Sequence, residues 1–531
     1  MLAFTRILFW VTVAAAAFHA AYACVNASFL IILYLFALLQ LARTDKWRKA
    51  FYSGLAVGFL IAAVRLEFFW ALFVGGALAL WVVYAFWIGL FVALARLCLR
   101  SVNSVGMRAK APQRCEERRE RSEEVGAQDN HFSVMDSHVT ETFPSLRSSR
   151  LCGSNGFLST AYFPSRRLDP RWGWLLIPFV WTGLEYFRSE LYYLRFSWLN
   201  VGYAFAGTPW QGTLRWTGTY GLGFLLMSVA CAAVFVWQKS RLRAVAWLVL
   251  GTGAVFLAGN LYCNERVPRP APSVRVAGVQ MEFPSQNEVL LRLNEVIRSY
   301  SDTELVVLSE YTLDGPVPAA LKEWCQANGR YLIVGGKDPA QGAGFYNTAY
   351  VVGPSGDIVF RQVKAVPIQF FKDGLPAPEQ KLWNSPWGKI GICVCYDLSY
   401  TRVTDRLVKL GAEALIVPTM DVVDWGQAQH ELHARIAPVR AAEYGLPLFR
   451  VASSGISQLV DRSGCVTATA PCPGDAATIA GALEMRGAGR RPLDRWLAPF
   501  ATGVTAALIV WLPIRRRLGD FSNAGEKVQD V

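Results

Sequence analysis

Apolar runs without a charged side chain fill the first part of the sequence and return near its end. Six of them are long enough, as helices, to cross a hydrocarbon core about 30 Å thick. They are residues 7–24, 24–42, 68–95, 217–238, 244–263 and 496–514. Two weaker runs, 50–64 and 172–187, raise the predicted number of spans to eight, although the second contains Glu185, which is costly in lipid unless it faces other helices. With 53% hydrophobic residues among 531, the sequence predicts a polytopic membrane protein.

The first apolar run also has features of a cleavable export signal. Arg6 precedes it, and it ends in the small-residue string Ala21, Tyr22, Ala23. A second apolar run begins at Cys24 where a hydrophilic mature domain would be expected, so a retained first span is favoured. Cleavage stays open as the alternative.

Polar segments divide this predicted bundle. Residues 101–170 mix dense charge with serine and few apolar residues, which predicts a cytoplasmic, largely disordered insertion. The predicted order is spans one to four in 1–100, the insertion in 101–170, spans five to seven with an outer aromatic loop in 171–263, a soluble domain in 264–490, span eight in 491–518 and a cytoplasmic tail in 519–531.

The distribution of charge predicts the orientation of the chain. Lysine and arginine follow the second, fourth, sixth and eighth predicted spans, and the positive-inside rule places those loops in the cytoplasm. The soluble domain then lies on the outer face, which in a bacterium is the periplasmic side of the inner membrane. The net charge of +13 comes largely from these basic loop residues, which suit contact with anionic lipid. It is not interpreted as a sign of nucleic-acid binding. The 11 cysteines show neither disulfide-framework nor zinc-site spacing.

After Pro272 the pattern changes to short apolar runs that alternate with helix-like segments. This alternation predicts a mixed α/β domain with buried central strands. The predicted strands are VRVAGVQ, LVVLSE, YLIVGG, YNTAYVV, IVF, IGICVC, EALIVP, LFRVASS and SQLVDR. The predicted helices cover 289–300, 319–328, 402–410 and 429–444.

Cys395 is the leading candidate for chemistry, since KIGICVCYDLSYTR carries it from an apolar strand into a polar turn. Such a thiol is held rigidly, and the turn can offer backbone N–H groups to an oxyanion. An isolated cysteine more often packs in a core, so this interpretation depends on its neighbours. Glu310 ends one strand and could accept the thiol proton, while Lys364 follows another and could stabilise the oxyanion. Spacing alone leaves open whether they meet.

The order Glu310, Lys364, Cys395 resembles the Glu-Lys-Cys triad of the carbon-nitrogen hydrolase (nitrilase) superfamily. Other strings similar to that superfamily are YNTA at 346–349, CYD at 395–397, RAAE at 440–443 and SSGISQLVDRSG at 453–464. Because this domain lies between seven predicted spans and a last one, with FSWLNVGYA at 196–204 in the outer loop, the chain apart from the insertion at 101–170 resembles the apolipoprotein N-acyltransferase family.

The resemblance implies a polytopic α-helical bundle joined to a nitrilase-like αββα sandwich. It implies that Cys395 takes an acyl chain from a phospholipid as a thioester, with Glu310 moving the proton and Lys364 stabilising the oxyanion. The amine of a diacylglyceryl-cysteine apolipoprotein then receives the chain. Neither a cofactor nor a metal is expected, and the protein is expected to act as a monomer.

Three further residues are expected at the substrate. Tyr396 would offer its backbone N–H to the oxyanion, and Asp397 follows it in the same string. Trp198 belongs to the outer aromatic loop, whose aromatic residues would form an interfacial lip or an ordinary aromatic belt.

Two departures from the family strings affect the expected site. The family lysine stands five residues before a proline, and here that position is Gln362. Lys364 shares a strand face with it, about 6 to 7 Å farther along, and Lys372 is an alternative. The family glutamate is matched by Phe370, so a second carboxylate is predicted to be missing from the entrance of the site. These changes keep two alternatives open: a membrane-tethered amidase or hydrolase, and a catalytically impaired lipoprotein-binding homologue.

Overall fold

The computed structural model describes residues 2–108, 170–237, 239–263, 272–342, 344–473 and 477–528. Most of the predicted insertion, residues 109–169, lies outside these ranges. Two compact units are distinguished, one formed by residues 1–96 with 175–531 and the other by residues 97–174. The soluble domain and most of the helical bundle belong to the first unit.

The apolar runs before the soluble domain form helices. They are α1 (Leu2–Ala23), α2 (Ile31–Ala42), α3 (Trp47–Arg65), α4 (Phe68–Phe73), α5 (Gly76–Arg108), α6 (Leu176–Tyr186), α7 (Leu214–Trp237) and α8 (Arg241–Cys263). In the part of the chain that the structure describes, five stretches are long and apolar enough to cross a membrane: Phe4–Ala23, Val25–Ala42, Gly76–Leu99, Gln211–Trp237 and Arg241–Gly259. The full count of eight spans stays a prediction.

The prediction of one continuous helix over 68–95 is wrong. α4 ends at Phe73, Val74 takes a φ of +47°, and α5 begins at Gly76. Two consecutive glycines, Gly75 and Gly76, follow Val74, and glycine weakens a helix by about 1 kcal/mol per residue. The break frees α4 from the long helix, and its aromatic side chains face the cleft described below.

The soluble domain contains two six-stranded sheets, ordered β12-β1-β2-β3-β4-β5 and β11-β10-β9-β8-β7-β6. The strands are β1 (Ser273–Val279), β2 (Leu305–Leu308), β3 (Tyr331–Pro339), β4 (Phe345–Val352), β5 (Ile358–Val363), β6 (Leu382–Ser385), β7 (Gly388–Ile392), β8 (Ala414–Thr419), β9 (Leu448–Ala452), β10 (Ser457–Val460), β11 (Val466–Ala470) and β12 (Thr478–Glu484). β1, β2 and β3 are parallel, as are β7, β8 and β9. Their carboxyl ends therefore lie along one edge of each sheet.

Helices cover the outer faces of the sheets. They are α9 (Gln286–Ser299), α10 (Ala319–Asn328), α11 (Thr401–Leu410) and α13 (Ile436–Tyr444). α12 (Gln427–Ala434) comes directly before α13 and contributes to the cleft described below. Leu293 of α9 and Leu321 of α10 belong to the core that includes Val306 of β2. The opposite face of the first sheet packs against the second sheet, since a Cβ on Gly278 of β1 would lie 2.5 Å from Val451 of β9. The predicted αββα sandwich is confirmed.

Two parts of the predicted secondary structure differ. The helix predicted over 429–444 is two helices, α12 and α13, that break at Arg435. Pro438 accounts for the break, because it has no N–H to donate to the carbonyl of Ala434. Strands β6, β11 and β12 were not predicted, since their sequences are short or rich in threonine, alanine and glycine. β12 completes the first sheet by pairing antiparallel with β1.

A kink in α7 connects the bundle to the soluble domain and to the last helix, α14 (Asp494–Val528). Gly218 lies at the kink with a φ of +70°. The next two backbone N–H groups leave the helical pattern: Thr219 donates to Glu443 Oε1 (3.0 Å) and Tyr220 donates to Asp494 Oδ2 (2.9 Å). Carboxylates from α13 and α14 thus stabilise the kink, and glycine is required because of both its φ and the closeness of Asp494.

Gly218→Ala is expected to destabilise the protein by about 2 kcal/mol or more. The new Cβ would lie 2.2 Å from the carboxyl group of Asp494 and would also have an unfavourable φ. Gly207→Ala is the matched control, since Gly207 has a φ of +71° but nothing within 4 Å of its Cβ position. Thermal unfolding of both variants measures the difference. Equal losses would show that the contact with Asp494 contributes nothing.

Candidate active site

The backbone at Cys395 is arranged as a sharp turn after a strand. β7 ends at Ile392, and Cys395, which is 1% exposed, has a φ of +50°. This left-handed conformation costs a non-glycine residue about 1–3 kcal/mol, so surrounding contacts must hold it. Asp397 provides them: its carboxylate accepts hydrogen bonds from the N–H groups of Val394 (3.2 Å) and Val366 (2.7 Å).

Asp397 therefore lies behind the turn, and its predicted role at the substrate stays a prediction. It is fully buried, and it also accepts a hydrogen bond from Ala365 N (3.0 Å). Because these donors follow Lys364 directly, one carboxylate fixes both the turn at Cys395 and the segment after Lys364. Burial raises the pKa of Asp397 to about 6, although the backbone donors oppose that rise.

Glu310 and Lys364 form a buried ion pair two residues after β2 and one residue after β5. Lys364 Nζ lies 2.8 Å from Glu310 Oε1, and both side chains are at most 1% exposed. Asn347 Nδ2 donates to the same oxygen (2.6 Å), and Met420 N donates to Glu310 Oε2 (2.9 Å). Three donors, from β4 and from the ends of β5 and β8, thus fix the carboxylate.

Cys395 shares a neighbour with this carboxylate. Its Sγ lies 3.7 Å from Met420 O, whereas Met420 N donates to Glu310. The thiol and the carboxylate therefore lie on either side of one backbone residue at the end of β8. The charge of Glu310 raises the pKa of Cys395, and the charge of Lys364 lowers it.

A second, buried carboxylate lies beside Lys364, whereas the prediction from Phe370 concerned the entrance, where Phe370 lines the cleft described below. Asp373 Oδ2 lies 2.7 Å from Lys364 Nζ, and Asp373 Oδ1 accepts hydrogen bonds from Tyr311 OH (2.8 Å) and Asn347 Nδ2 (2.9 Å). Phe370 has a φ of +72°, which turns the loop so that a residue three positions later enters the site. Sequence reasoning missed Asp373 because loops have no period from which a side-chain direction can be read.

The lysine of the site is Lys364. Gln362 points elsewhere: its Nε2 donates to Val363 O (2.9 Å) and its Oε1 accepts from Lys381 N (3.1 Å). Lys372 is exposed. Although the lysine stands two residues later than in the family string, its ammonium group still lies beside Glu310.

Burial and the presence of two carboxylates beside one ammonium group determine the pKa shifts of the site residues. Burial raises the pKa of Cys395 well above its usual value, so the resting thiol is protonated. Burial also raises the pKa of Glu310, with Asp373 adding to the rise and Lys364 opposing it. Burial alone would lower the pKa of Lys364, but Glu310 and Asp373 outweigh it and raise that pKa well above its usual value. Lys364 is consequently a permanent ammonium ion.

An apolar cleft of about 750 Å³ leads to Cys395. It is lined by aromatic and aliphatic side chains from α4, the outer loop and the loop after β5, and it is open to the surroundings. The lining residues include Phe69, Phe73, Leu194, Phe196, Phe370 and Trp425. Arg195 is the charged side chain among the lining residues. Such a cleft suits an acyl chain.

Two of the predicted substrate residues, Tyr396 and Trp198, line this cleft. The indole of Trp198 stacks on His433 (ring centroids 4.7 Å apart, 12° between planes), and its Nε1 donates to Ser399 Oγ (3.0 Å). Asp421 Oδ1 in turn lies 2.7 Å from His433 Nδ1. Outer loop and soluble domain thus form one wall beside the thiol.

The described residues include no group of three His, Cys, Asp or Glu side chains arranged as metal ligands would be. The site itself offers a buried thiol, a carboxylate and an ammonium ion.

Residues 146–232 match the apolipoprotein N-acyltransferase N-terminal domain, and residues 275–481 match the carbon-nitrogen hydrolase family. The apolipoprotein N-acyltransferase of Shewanella oneidensis is 24% identical over 362 residues, which cover 59% of this chain and 69% of that protein. The apolipoprotein N-acyltransferase of Geobacter metallireducens is 25% identical over 409 residues, covering 66% and 77%.

Among solved structures, a carbon-nitrogen hydrolase from Helicobacter pylori is similar to part of this chain. It is 18% identical with a TM-score of 0.35, and the match covers 48% of this chain and 98% of that one.

Proposed function

Since the chain belongs to the apolipoprotein N-acyltransferase family, we propose that it moves a fatty acyl chain from a phospholipid to the N-terminal amine of a diacylglyceryl-cysteine lipoprotein, through a thioester on Cys395. The observation that carries this proposal is the placement of a strained, buried thiol next to a Glu310–Lys364 ion pair at the end of an apolar cleft. The catalytic domain would work on the periplasmic face of the bacterial inner membrane, as a monomer.

In the first step, Glu310 takes the thiol proton as Cys395 Sγ attacks the ester carbonyl. The high pKa of the thiol means that proton removal and attack occur together, as general-base catalysis requires. The carbonyl oxygen becomes an oxyanion. When the intermediate collapses, the C–O bond breaks, Glu310 returns the proton to the leaving alkoxide, and a lysophospholipid departs.

Lys364 is suited to the oxyanion because its ammonium group has three N–H donors. Glu310 and Asp373 accept two of them, at 2.8 and 2.7 Å. The third can point to the oxyanion, together with the N–H of Tyr396. Asp373 thus orients the lysine and, by its charge, makes Glu310 a stronger base.

In the second step, the lipoprotein amine attacks the thioester. Glu310 accepts the amine proton, the C–S bond breaks, and the thiolate of Cys395 recovers that proton. Formation of an amide from a thioester is downhill, so this exchange needs no external energy source. Arg195 at the cleft would hold the phosphate of the donor lipid.

The proposal is tested by incubating the protein with a phospholipid radiolabelled in its acyl chain. Label on Cys395 that hydroxylamine releases is expected, and a diacylated lipopeptide should then remove it as an N-acyl product. Release of free fatty acid with an unmodified lipopeptide would instead identify a hydrolase. Absence of label from a folded protein would favour the impaired lipoprotein-binding homologue.

The rate of thioester formation is expected to fall as the pH is lowered, and the midpoint of this acid limb should lie above the ordinary glutamate pKa of about 4.3. Burial and Asp373 raise the pKa of Glu310, so its proton is retained to higher pH and the base is lost earlier as the pH falls. Single-turnover release of lysophospholipid measures this limb without the titration of the substrate amine. Asp373→Asn removes one raising charge and should move the limb to lower pH. An unchanged limb in that variant would contradict the assignment of Glu310 as base.

A further inference from the structure

A second cleft lies at the other end of the bundle, remote from Cys395. It has a volume of about 770 Å³ and is lined by Arg6, Ile7, Trp10, Gln40, Leu41, Arg43, Thr44, Asp45 and Lys49. These residues come from the start of α1, the end of α2 and the start of α3. Three cationic side chains thus face one acidic side chain in the lining.

The position of this cleft follows from α1, which runs between the two ends. At its far end Tyr22 OH donates to Asn200 O (2.7 Å) in the outer loop, which also reaches the turn at Cys395. Arg6 precedes Tyr22 by sixteen residues, a rise of about 24 Å along a helix. The second cleft therefore lies on the opposite side of the membrane from the proposed active site.

Two buried polar side-chain atoms in the lining of the cleft have no hydrogen-bond partner. Gln40 is 2% exposed, and its Oε1 accepts a hydrogen bond from Arg43 (2.9 Å). That bond fixes the orientation of the amide and leaves the buried Nε2 without a partner. The buried Oγ1 of Thr44 also has no partner. Unfilled donors of this kind cost about 1–3 kcal/mol each, so their persistence points to a ligand that supplies acceptor oxygens.

The charges in the cleft point to the same kind of ligand. Burial lowers the pKa of Arg43, and the positive charge of Arg6 lowers it further. The two guanidinium groups are thus close enough to repel each other, and an anion between them would relieve that repulsion. Guanidinium groups bind phosphate through paired N–H donors.

We infer that this cleft binds the phosphate of an anionic phospholipid from the leaflet opposite the catalytic domain. Trp10, Ile7 and Leu41 provide the reason for choosing a lipid over free phosphate, because they continue the polar lining with apolar surface that acyl chains can cover. Basic clefts between membrane helices commonly hold such headgroups. The proposal goes beyond the acyl transfer reaction and does not depend on it.

The test compares thermal unfolding of the full chain in detergent micelles with phosphatidylglycerol, with phosphatidylcholine and with inorganic phosphate. Phosphatidylglycerol is expected to stabilise the wild type most. Arg6→Gln combined with Arg43→Gln should weaken its apparent affinity about 30-fold, at about fivefold for each charge removed. Arg48→Gln is the matched control, since Arg48 lies at the same end of the bundle outside the cleft, and it should behave as the wild type.

Gln40→Glu provides a test that does not risk misfolding. Its carboxylate would lie among the three cations and replace the lipid phosphate, so the unfolding temperature without lipid should hold or rise while the phosphatidylglycerol effect disappears. Lipid entering the active-site cleft affects all these variants equally and cancels in the comparison. The proposal is overturned if Gln40→Glu keeps the wild-type response, if Arg48→Gln loses it, or if inorganic phosphate alone reproduces it.

Discussion

Cys395→Ala is expected to reduce N-acyl transfer by about 10⁴-fold or more, because no other group in the cleft can carry the acyl chain as a thioester. Fold and stability should change little. Alanine removes one buried sulfur atom and keeps a Cβ, so the backbone strain at a φ of +50° is the same in both proteins. Mass spectrometry of a diacylated lipopeptide, incubated with phospholipid and enzyme, measures the loss.

Cys393→Ala is the matched control for this substitution. Cys393 is two residues earlier, is fully buried, and has a pKa that burial raises well above the usual value, as in Cys395. It does not line the cleft, so its loss should cost only packing, about 1 kcal/mol, and leave transfer within a few fold of the wild type. A Cys395→Ala protein that still acylates, or an equal loss in both variants, would contradict the nucleophile assignment.

Much of this arrangement could be read from the sequence because it depends on strand ends. Glu310 and Cys395 follow apolar runs that form β2 and β7, and parallel strands bring their carboxyl ends to shared edges. Residues two apart on a strand share a face, so Lys364 stayed a candidate although Gln362 occupies the position of the family lysine. The resemblance to a known family then turned three separate residues into one expected site.

Other features could not be read because they depend on loops and on contacts between distant segments. Asp373 enters the site through a turn at Phe370 whose φ of +72° has no signature in the sequence FFKDG. The stack of Trp198 on His433 joins the outer loop to α12. The sequence around either residue contains no pattern that predicts this contact. The break at Val74 was missed for a related reason, since an apolar run alone predicts a span wherever hydropathy is high.

Lys364→Met is expected to reduce acyl transfer by about 10³-fold and to destabilise the protein by about 3–5 kcal/mol. The activity falls because the oxyanion loses its ammonium partner. The stability falls because Glu310 and Asp373, both at most 5% exposed, are left as buried carboxylates without a counterion. Lys337→Met is the control for loss of a lysine from an ion pair, since Lys337 and Asp314 are exposed and solvent screens their pair, so the substitution should change stability little.

A double variant separates the two roles of Lys364. Adding Asp373→Asn to Lys364→Met removes one of the two unpaired charges, and the amide oxygen can still accept from Tyr311, so part of the lost stability should return. Activity should not return, because no cation faces the oxyanion. Thermal unfolding and single-turnover lysophospholipid release, measured on the same preparations, give both quantities. If activity recovers together with stability, Lys364 serves only to hold the carboxylates, and the oxyanion must be stabilised by backbone N–H groups alone.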